Sequence, residues 1–309
     1  MAGNALMPAS ANDEEGSSSQ ARPGASRGTQ RFRFRYLSPV RWGDLDAQQH
    51  VNNAVYLDHL QDGRVAFLYS AGEEVARMLD TGILVVGHQV EYLAPVAFRG
   101  QSLAVDLWVD QLGGSRFVIG YEVYDGETLC ARARTVATPY DLAAGKLRRF
   151  SPVEREGFRA RMVSEPPLRE LARSRPGEHP HRCPVTVRWS DLDAYGHVNN
   201  VKFYDYVQEA RIAVMTSTLE WDSGVVWSIA RQDMDYLAPL DFRLEPYEVA
   251  TSVVALGNRS FTLAAEVRDP ASGTVYARAR TVAVGPSPLS PTERSALSAW
   301  ALPDTPGVG

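Results

Sequence analysis

The alternation of apolar and polar positions predicts one set of elements twice along the chain. Residues 31–36 alternate basic and aromatic side chains, which is the period of a half-buried strand. Residues 54–69 place apolar side chains on one helical stripe and contain no proline, which predicts a long helix. Residues 201–218 predict a second helix of the same kind. Four strand-like runs follow each helix, at 83–93, 102–112, 117–124 and 129–139, and at 225–237, 247–256, 261–267 and 274–284.

The order of these elements predicts an α+β fold. No helix separates the later strands, so the sheet must be mostly antiparallel. One long helix packed on one face of such a sheet is an α+β module. Two modules in tandem can pair edge to edge, which would remove exposed strand edges. Each set closes on a Ser-Pro-x-Glu stretch, at 151–154 and 290–293, which is typical of a capped helix start.

A gap-free internal repeat indicates that the two sets are copies of one module. Residues 40–53 and 187–200 share an Arg-Trp pair, two aspartates, one histidine and two asparagines, at an offset of 188 − 41 = 147 residues. The predicted boundaries are a disordered tail at 1–30 that is rich in Ser, Gly, Pro and charge, a first domain at 31–163, a linker at 164–181, a second domain at 182–300 and a C-terminal tail at 301–309.

Composition narrows the kind of protein. At 309 residues, the length fits about two domains. A net charge of −5 argues against nucleic-acid binding, which normally requires a basic domain or stripe. Two cysteines are too few for a disulfide framework or a metal cluster. The chain has neither the apolar run of about 20 residues that a membrane helix needs nor the apolar segment of a secretion signal. We therefore expect a cytoplasmic protein.

The repeated stretch carries the candidate chemistry. In the second copy, Asp193 ends a strand one turn before a long helix, and Asp46 has the same place in the first copy. A helix N-terminus exposes free backbone N–H groups that can bind an oxyanion, and a nearby carboxylate can act as general base or nucleophile. Such an Asp is also a common turn or cap residue, so a structural role stays open. The Asp-x-x-x-His spacing lacks a third ligand, so no metal and no cofactor are expected.

Residues 188–204 resemble the signature of hotdog-fold thioesterases of the 4-hydroxybenzoyl-CoA thioesterase type. They are also similar to the corresponding segment of plant acyl-ACP thioesterases, which are tandem hotdogs. The resemblance implies a tandem double hotdog in which each antiparallel sheet wraps around one long helix. It implies catalytic roles for Asp193, Asp46, His197 and His50, and oxyanion or substrate contacts at Asn200, Asn53, Asn199 and Asn52.

The chain departs from the plant pattern at two places. Tyr195 and Gln48 stand where the plant enzymes have an assisting Asn, and Pro239 and Pro95 fall near their further carboxylate. The resemblance therefore favours a simpler mechanism built on Asp and the helix N-terminus. A glycine such as Gly196 permits a left-handed turn without strain, whereas Gln49 would be strained in the same conformation, so Asp193 ranks above Asp46.

We expect an acyl-CoA thioesterase that releases a free acid and CoA. An acyl-ACP thioesterase, a non-catalytic acyl-CoA or acyl-ACP binding module and a hydratase are the alternatives. The two copies should form an intramolecular pair with the acyl pocket between them, and further homo-oligomerisation stays open. Tyr56, Phe203 and Trp227 are candidates either for lining that pocket or for the core.

Overall fold

The computed structural model describes residues 33–219 and 227–302. The strands are β1 (Phe34–Pro39), β2 (Ile83–Tyr92), β3 (Ser102–Leu112), β4 (Phe117–Asp125), β5 (Thr128–Asp141), β6 (Lys146–Leu147), β7 (His181–Val185), β8 (Ser228–Tyr236), β9 (Tyr247–Leu256), β10 (Ser260–Arg268) and β11 (Val275–Val284). The helices are α1 (Tyr56–Ser70), α2 (Glu73–Ala76), α3 (Met78–Thr81), α4 (Pro152–Arg159), α5 (Lys202–Thr218) and α6 (Pro291–Ser298). Three predicted parts lie outside the described residues: the tail at 1–30, the first two positions of the runs at 31–36 and at 225–237, and residues 303–309 of the C-terminal tail.

The strands form one continuous antiparallel sheet that joins the two copies. Its order is β1-β3-β4-β5-β2-β8-β11-β10-β9-β7, with β6 added to β5. The copies meet where β2 pairs with β8, with Gly87 opposite Asp235 and Glu91 opposite Arg231. This pairing covers one edge of each half, so the predicted edge-to-edge association is confirmed.

Each long helix packs against the strands of its own copy. Helix α1 contacts β1 and β3, and α5 contacts β7, β9 and β10. The apolar stripe of α1 is predicted at residues 57, 60, 65 and 68. Leu57, Leu60 and Leu68 are buried, at 0–1% exposure, and Val65 is partly buried, which confirms the stripe at three of these positions. Burying a side chain of this size contributes about 1.5–3 kcal/mol. On α5 the ring of Phe203 is 2% exposed and lies against Tyr236, so Phe203 belongs to the core.

Sequence periodicity places most element bounds within a few residues. The runs predicted at 102–112 and 247–256 match β3 and β9 end to end. Both capped helix starts are confirmed, since the Ser151 hydroxyl accepts from the Glu154 amide at 3.1 Å and Ser290 does the same for Glu293. Helices α2 and α3 and strand β6 are not predicted from the sequence, because each is too short to show a period.

The segment predicted as a linker crosses from the first copy to the second. Residues 164–180 contain neither helix nor strand, and β7 begins at residue 181. The amide of Glu165 donates to Asp110 Oδ1 at 3.3 Å, and the amide of Gly177 donates to Ser252 Oγ at 3.1 Å. The segment therefore bonds to β3 at one end and to β9 at the other. No helix within 33–219 or 227–302 has the length and apolar character to cross a membrane.

Candidate active site

The first aspartate of each pair has a structural role. Asp44 and Asp191 are buried and close single 3-10 turns. The amide of Arg41 donates to Asp44 Oδ2 at 2.6 Å, and the amide of Arg188 donates to Asp191 Oδ2 at 2.8 Å. Tyr206 adds a hydroxyl bond to the same Asp191 oxygen at 2.7 Å. Because these carboxylates act as caps, the second aspartates are the ones left for chemistry.

The second aspartates, Asp46 and Asp193, are partly exposed and have one oxygen free. Asp46 Oδ1 accepts from the amide of Gln48 at 2.8 Å, and Asp193 Oδ1 accepts from the amide of Tyr195 at 2.8 Å. Within the described part of the chain, no hydrogen bond reaches Oδ2 of either residue. One oxygen therefore fixes each side chain, and the other is available to a water or substrate.

The two copies build the same turn after these aspartates. Each Asp amide donates across the turn to a histidine carbonyl at 2.9 Å, Asp46 to His50 and Asp193 to His197. Gln49 and Gly196 both have a positive φ, at 63° and 81°. The first copy thus adopts the left-handed conformation with a side chain, at a cost of roughly 1–2 kcal/mol.

The start of each long helix offers an unused backbone donor. The side chain of Asn52 accepts from the amide of Ala54 at 2.9 Å, and Asn199 accepts from Val201 at 3.4 Å, so both side chains hold the turn. By contrast, no hydrogen bond among the described residues uses the backbone N–H of Asn53 or its counterpart Asn200. Both N–H groups lie at the positive end of a helix, where an oxyanion is stabilised.

Two partly buried tyrosines hold this backbone in place. The Tyr92 hydroxyl donates to the carbonyl of Asn53 at 2.7 Å, and the Tyr236 hydroxyl donates to that of Asn200 at 2.6 Å. Burial raises the pKa of both tyrosines, so they stay protonated donors at neutral pH. The orientation of each helix start is therefore set by a strand of its own copy.

The asparagine side chains bond to the other copy. Asn200 Oδ1 lies 3.0 Å from His88 Nε2, and the Thr135 hydroxyl lies 2.9 Å from His88 Nδ1. Burial lowers the pKa of His88 to about 3, so the ring is neutral, donates through Nε2 and accepts from Thr135. In the other half, Asn53 Nδ2 donates to Gln232 Oε1 at 3.3 Å. Each helix start is thus tied across the junction of the copies.

Two pockets of similar size hold these groups. The Asp46 pocket, about 580 Å³, combines the first-copy turn with α5 and the start of β8; its lining includes Asp46, His50, Asn52, Asn53, Tyr56, Tyr92, Gln208, Arg211, Ile212, Met215 and Trp227. The Asp193 pocket, about 550 Å³, combines the second-copy turn with α1 and the start of β2; its lining includes Asp193, Tyr195, Asn200, Tyr36, Arg64, Val65, Leu68, Leu79 and Ile83. Each pocket therefore takes its turn from one copy and its helix wall from the other.

The histidines differ between the halves. His50 lines the Asp46 pocket together with Asn52 and Asn53. His197 is 44% exposed, and its Nε2 lies 3.8 Å from Asp241 Oδ1 rather than in the lining of the Asp193 pocket. Tyr195 lies in that pocket instead and donates its hydroxyl to the Leu79 carbonyl at 2.7 Å. The structure thus gathers more of the predicted residues around Asp46 than around Asp193.

Several polar residues around the pockets are not predicted from the sequence, although some leave a signal there. Tyr92 and Tyr236 lie in the matching segments Glu-Tyr-Leu-Ala-Pro and Asp-Tyr-Leu-Ala-Pro, which align the two copies. Arg64 and Arg211 recur at the same offset as the signature, 211 − 64 = 147. Recurrence of a polar residue on a predicted helix is therefore a usable signal. His88 leaves none, because Gln232 occupies its place in the second copy.

The described residues contain no cluster of three or more His, Cys, Asp or Glu side chains arranged to hold a metal ion. The polar groups that line the pockets are carboxylate, amide, hydroxyl and guanidinium groups, together with the His50 imidazole in the Asp46 pocket. Such a set suits binding and proton transfer to an organic substrate.

Comparison with known proteins identifies the family. The model of the thioesterase-like superfamily matches residues 40–161 and 187–285. The Bacillus subtilis (strain 168) protein named "Putative acyl-CoA thioesterase YneP" is 30% identical over 88 residues, which is 28% of this chain and 63% of that protein. "Uncharacterized protein YsmA" of the same organism is 32% identical over 84 residues, 26% of this chain and 54% of that protein. The matches thus span less than two thirds of either relative.

Solved structures share the arrangement of both copies. An acyl-ACP thioesterase from Bacteroides thetaiotaomicron VPI-5482 superposes with a TM-score of 0.62 at 15% identity, covering 82% of this chain and 97% of that one. The 12:0-ACP thioesterase from Umbellularia californica gives a TM-score of 0.62 at 16% identity, covering 84% and 99%. At these identities the likeness concerns the fold. Since one family model matches each copy in turn, the chain belongs to the thioesterase-like superfamily and is an α+β tandem double hotdog.

Proposed function

We propose that the protein is an acyl-CoA thioesterase with a half-site in each pocket. The observation that carries the proposal is the pairing, in both pockets, of an aspartate with one free oxygen and a helix N-terminus with an unused N–H. Acyl transfer needs both groups, since a nucleophile must be activated while the carbonyl oxygen gains charge.

The proposed reaction uses Asp46 or Asp193 as general base. The carboxylate takes a proton from a water as the water oxygen bonds to the thioester carbon, and the backbone N–H of Asn53 or Asn200 donates to the developing oxyanion. The tetrahedral intermediate then expels the thiolate, which takes the proton back from the aspartic acid. The products are a free acid and CoA. Direct attack by the carboxylate on the thioester carbon, followed by hydrolysis of the anhydride, is the alternative course.

A CoA thioester is the proposed substrate, and an acyl-ACP is the competing one. The relative at 30% identity is named for acyl-CoA, whereas the acyl-ACP thioesterases share the fold at 15–16% identity. Rates on matched acyl-CoA and acyl-ACP substrates decide between them. A higher kcat/KM on the acyl-ACP would identify acyl-ACP as the substrate, and the assignment of the site residues would still hold.

Release of free thiol from a panel of acyl-CoA chain lengths tests the activity. We expect the double variant Asp46→Asn/Asp193→Asn to lose about two orders of magnitude or more, as removal of a general base does. Asp141→Asn is the matched control, because Asp141 accepts from Ala144 in an exposed turn outside the lining of both pockets. Unchanged hydrolysis in the double variant would exclude these aspartates. Tight acyl-CoA binding with no turnover in the wild type would favour a binding module.

A further inference from the structure

Two buried arginines occupy equivalent places in the long helices. Arg64 on α1 and Arg211 on α5 are 6% and 4% exposed. Nη1 of each has no hydrogen-bond partner among the described residues. A buried, unsatisfied guanidinium N–H is uncommon in folded proteins and calls for an explanation in terms of a ligand or a missing partner.

Neither arginine is paired with a carboxylate in the described ranges. Arg231, which is 5% exposed, shows how the charge of a buried arginine is usually compensated. Its guanidinium bonds to two carboxylates, to Glu91 at 2.6 Å and to Asp233 at 2.5 Å. Burial lowers the pKa of Arg211 to about 10, so the side chain is still charged at neutral pH. A buried charge without a counter-ion is destabilising, and a ligand anion would compensate it.

Both arginines reach the candidate site of the opposite copy. Arg211 Nη2 donates to Asn53 Oδ1 at 3.1 Å, and both residues line the Asp46 pocket. Arg64 lines the Asp193 pocket together with Asn200. The guanidinium of Arg211 therefore lies next to the residue whose backbone N–H is free, and it comes from the helix of the other copy.

We propose that Arg211 and Arg64 bind the carboxylate of the acid product, each in the pocket whose aspartate belongs to the other copy. A planar guanidinium with a free N–H suits a carboxylate, with which it forms short charge-assisted hydrogen bonds. The apolar part of the acid would lie along the helix wall, against Ile212 and Met215 in the Asp46 pocket. The inference rests on the proposed function for the identity of the ligand, but not for the existence of the anion site.

Calorimetry separates the charge of the ligand from its apolar tail. Octanoate, dodecanoate and hexadecanoate are titrated into the full chain, and the corresponding neutral amides serve as matched ligands. We expect the carboxylates to bind roughly ten- to a hundredfold more tightly than the amides, which is the range for a charge-assisted hydrogen bond in a desolvated site. Arg64→Met/Arg211→Met should remove this difference, and Arg64→Lys/Arg211→Lys should restore part of it.

Two controls separate the loss of the anion site from misfolding and from the general loss of an arginine. The double methionine variant should melt at or above the wild-type temperature, because it removes two unpaired buried charges. Arg268→Met removes an arginine paired with Glu248 on the sheet and should leave carboxylate affinity unchanged.

Equal binding of carboxylates and amides, or unchanged carboxylate affinity in the folded methionine variant, overturns the proposal. Loss of the carboxylate preference in that variant supports it, even if thiol release shows no hydrolysis. In that case the proposed function fails and the anion site stands. Hydrolysis together with arginine-independent acid binding would retain the proposed function and exclude the anion site.

Discussion

Gln49 and Gly196 occupy equivalent positions in the shared turn, so exchanging the two residue types by mutation measures the backbone strain there. Gln49→Gly should stabilise the protein by about 0.5–1 kcal/mol, because the gain from relieving the left-handed conformation exceeds the added entropy of an unfolded glycine. Gly196→Gln, the reverse change at the equivalent position, should destabilise by a similar amount. Denaturant unfolding measures both. A destabilised Gln49→Gly variant would contradict the expectation.

The buried His88 should make stability depend on pH. The folded protein keeps this ring neutral down to about pH 3, whereas the unfolded chain protonates it below about pH 6.5. The unfolded state then binds more protons, so stability falls as pH falls through this window. The slope that His88 adds to the free energy of unfolding approaches about 1.4 kcal/mol per pH unit.

His88→Gln copies the residue of the second copy and should flatten that slope. Unfolding free energies between about pH 6.5 and pH 5 test it, a range chosen to limit titration of carboxylates. Because the buried His59 titrates in both proteins, only the difference between them reports His88. Equal slopes would show that the ring is not held neutral.

At the residue scale, the sequence predicts the residues of the repeated signature and misses polar groups outside it, including Arg64 and Arg211, which also repeat. The doubled Asp-x-Asp pair is visible, but only the structure shows that Asp44 and Asp191 act as caps while Asp46 and Asp193 keep a free oxygen. His88 and Gln232 contact the site from another strand of the opposite copy, so no local spacing could place them there. The catalytic roles of Asp193, Asp46, His197 and His50 stay predictions.

Strands β2 and β8 hold the copies together through a buried ionic group. Arg231 on β8 bonds to Glu91 on β2 and to Asp233, which is 2% exposed. Arg231→Ala should destabilise by about 3–5 kcal/mol, because the buried Asp233 carboxylate loses its bonded guanidinium and keeps the weaker hydrogen bond from Gln89 Nε2 at 3.4 Å. Adding Asp233→Asn should recover part of that loss, and unfolding midpoints measure both variants. A loss under about 1 kcal/mol would place the pair among weak surface bridges.

At the element scale, periodicity is sufficient for long elements and fails for short ones. The stripe of α1 follows from burial on one side, which a local pattern records. Strands β3 and β9 are buried on both faces over most of their length, and apolar runs of strand length predict them. Helices α2 and α3 follow α1 in the first copy, where Val75 and Met78 are buried. These depend on tertiary packing, and four residues are too few to show it.

The whole molecule depends on the junction because both pockets are built across it. A Cβ at Gly87 would lie 3.1 Å from the Met234 carbonyl of the neighbouring copy. Gly87→Val should therefore destabilise by about 1–3 kcal/mol and reduce turnover in both half-sites together. Gly43→Ala is the control, since a Cβ there meets no atom within 4 Å.

Thiol release in the Asp46→Asn background measures the activity of the Asp193 half-site alone. Thiol release in the Asp193→Asn background measures the activity of the Asp46 half-site alone. If Gly87→Val affected only one background, the pockets would not share the junction as a common support.

At the scale of the whole molecule, the sequence predicts the tandem pair, because the repeat and the unpaired edges require it. It does not predict pocket volumes, which depend on side chains from distant parts of the chain.

Each pocket takes its turn from one copy and its helix wall from the other, and this arrangement affects how the two pockets can diverge by mutation. In a dimer of identical chains every substitution appears twice, so symmetry forces both sites to change alike. Here Tyr195 faces the Asp193 pocket and Gln48 faces the Asp46 pocket, and each can be replaced alone. One chain can therefore adapt its two pockets to different ligands, while a single continuous sheet keeps the pockets in fixed positions.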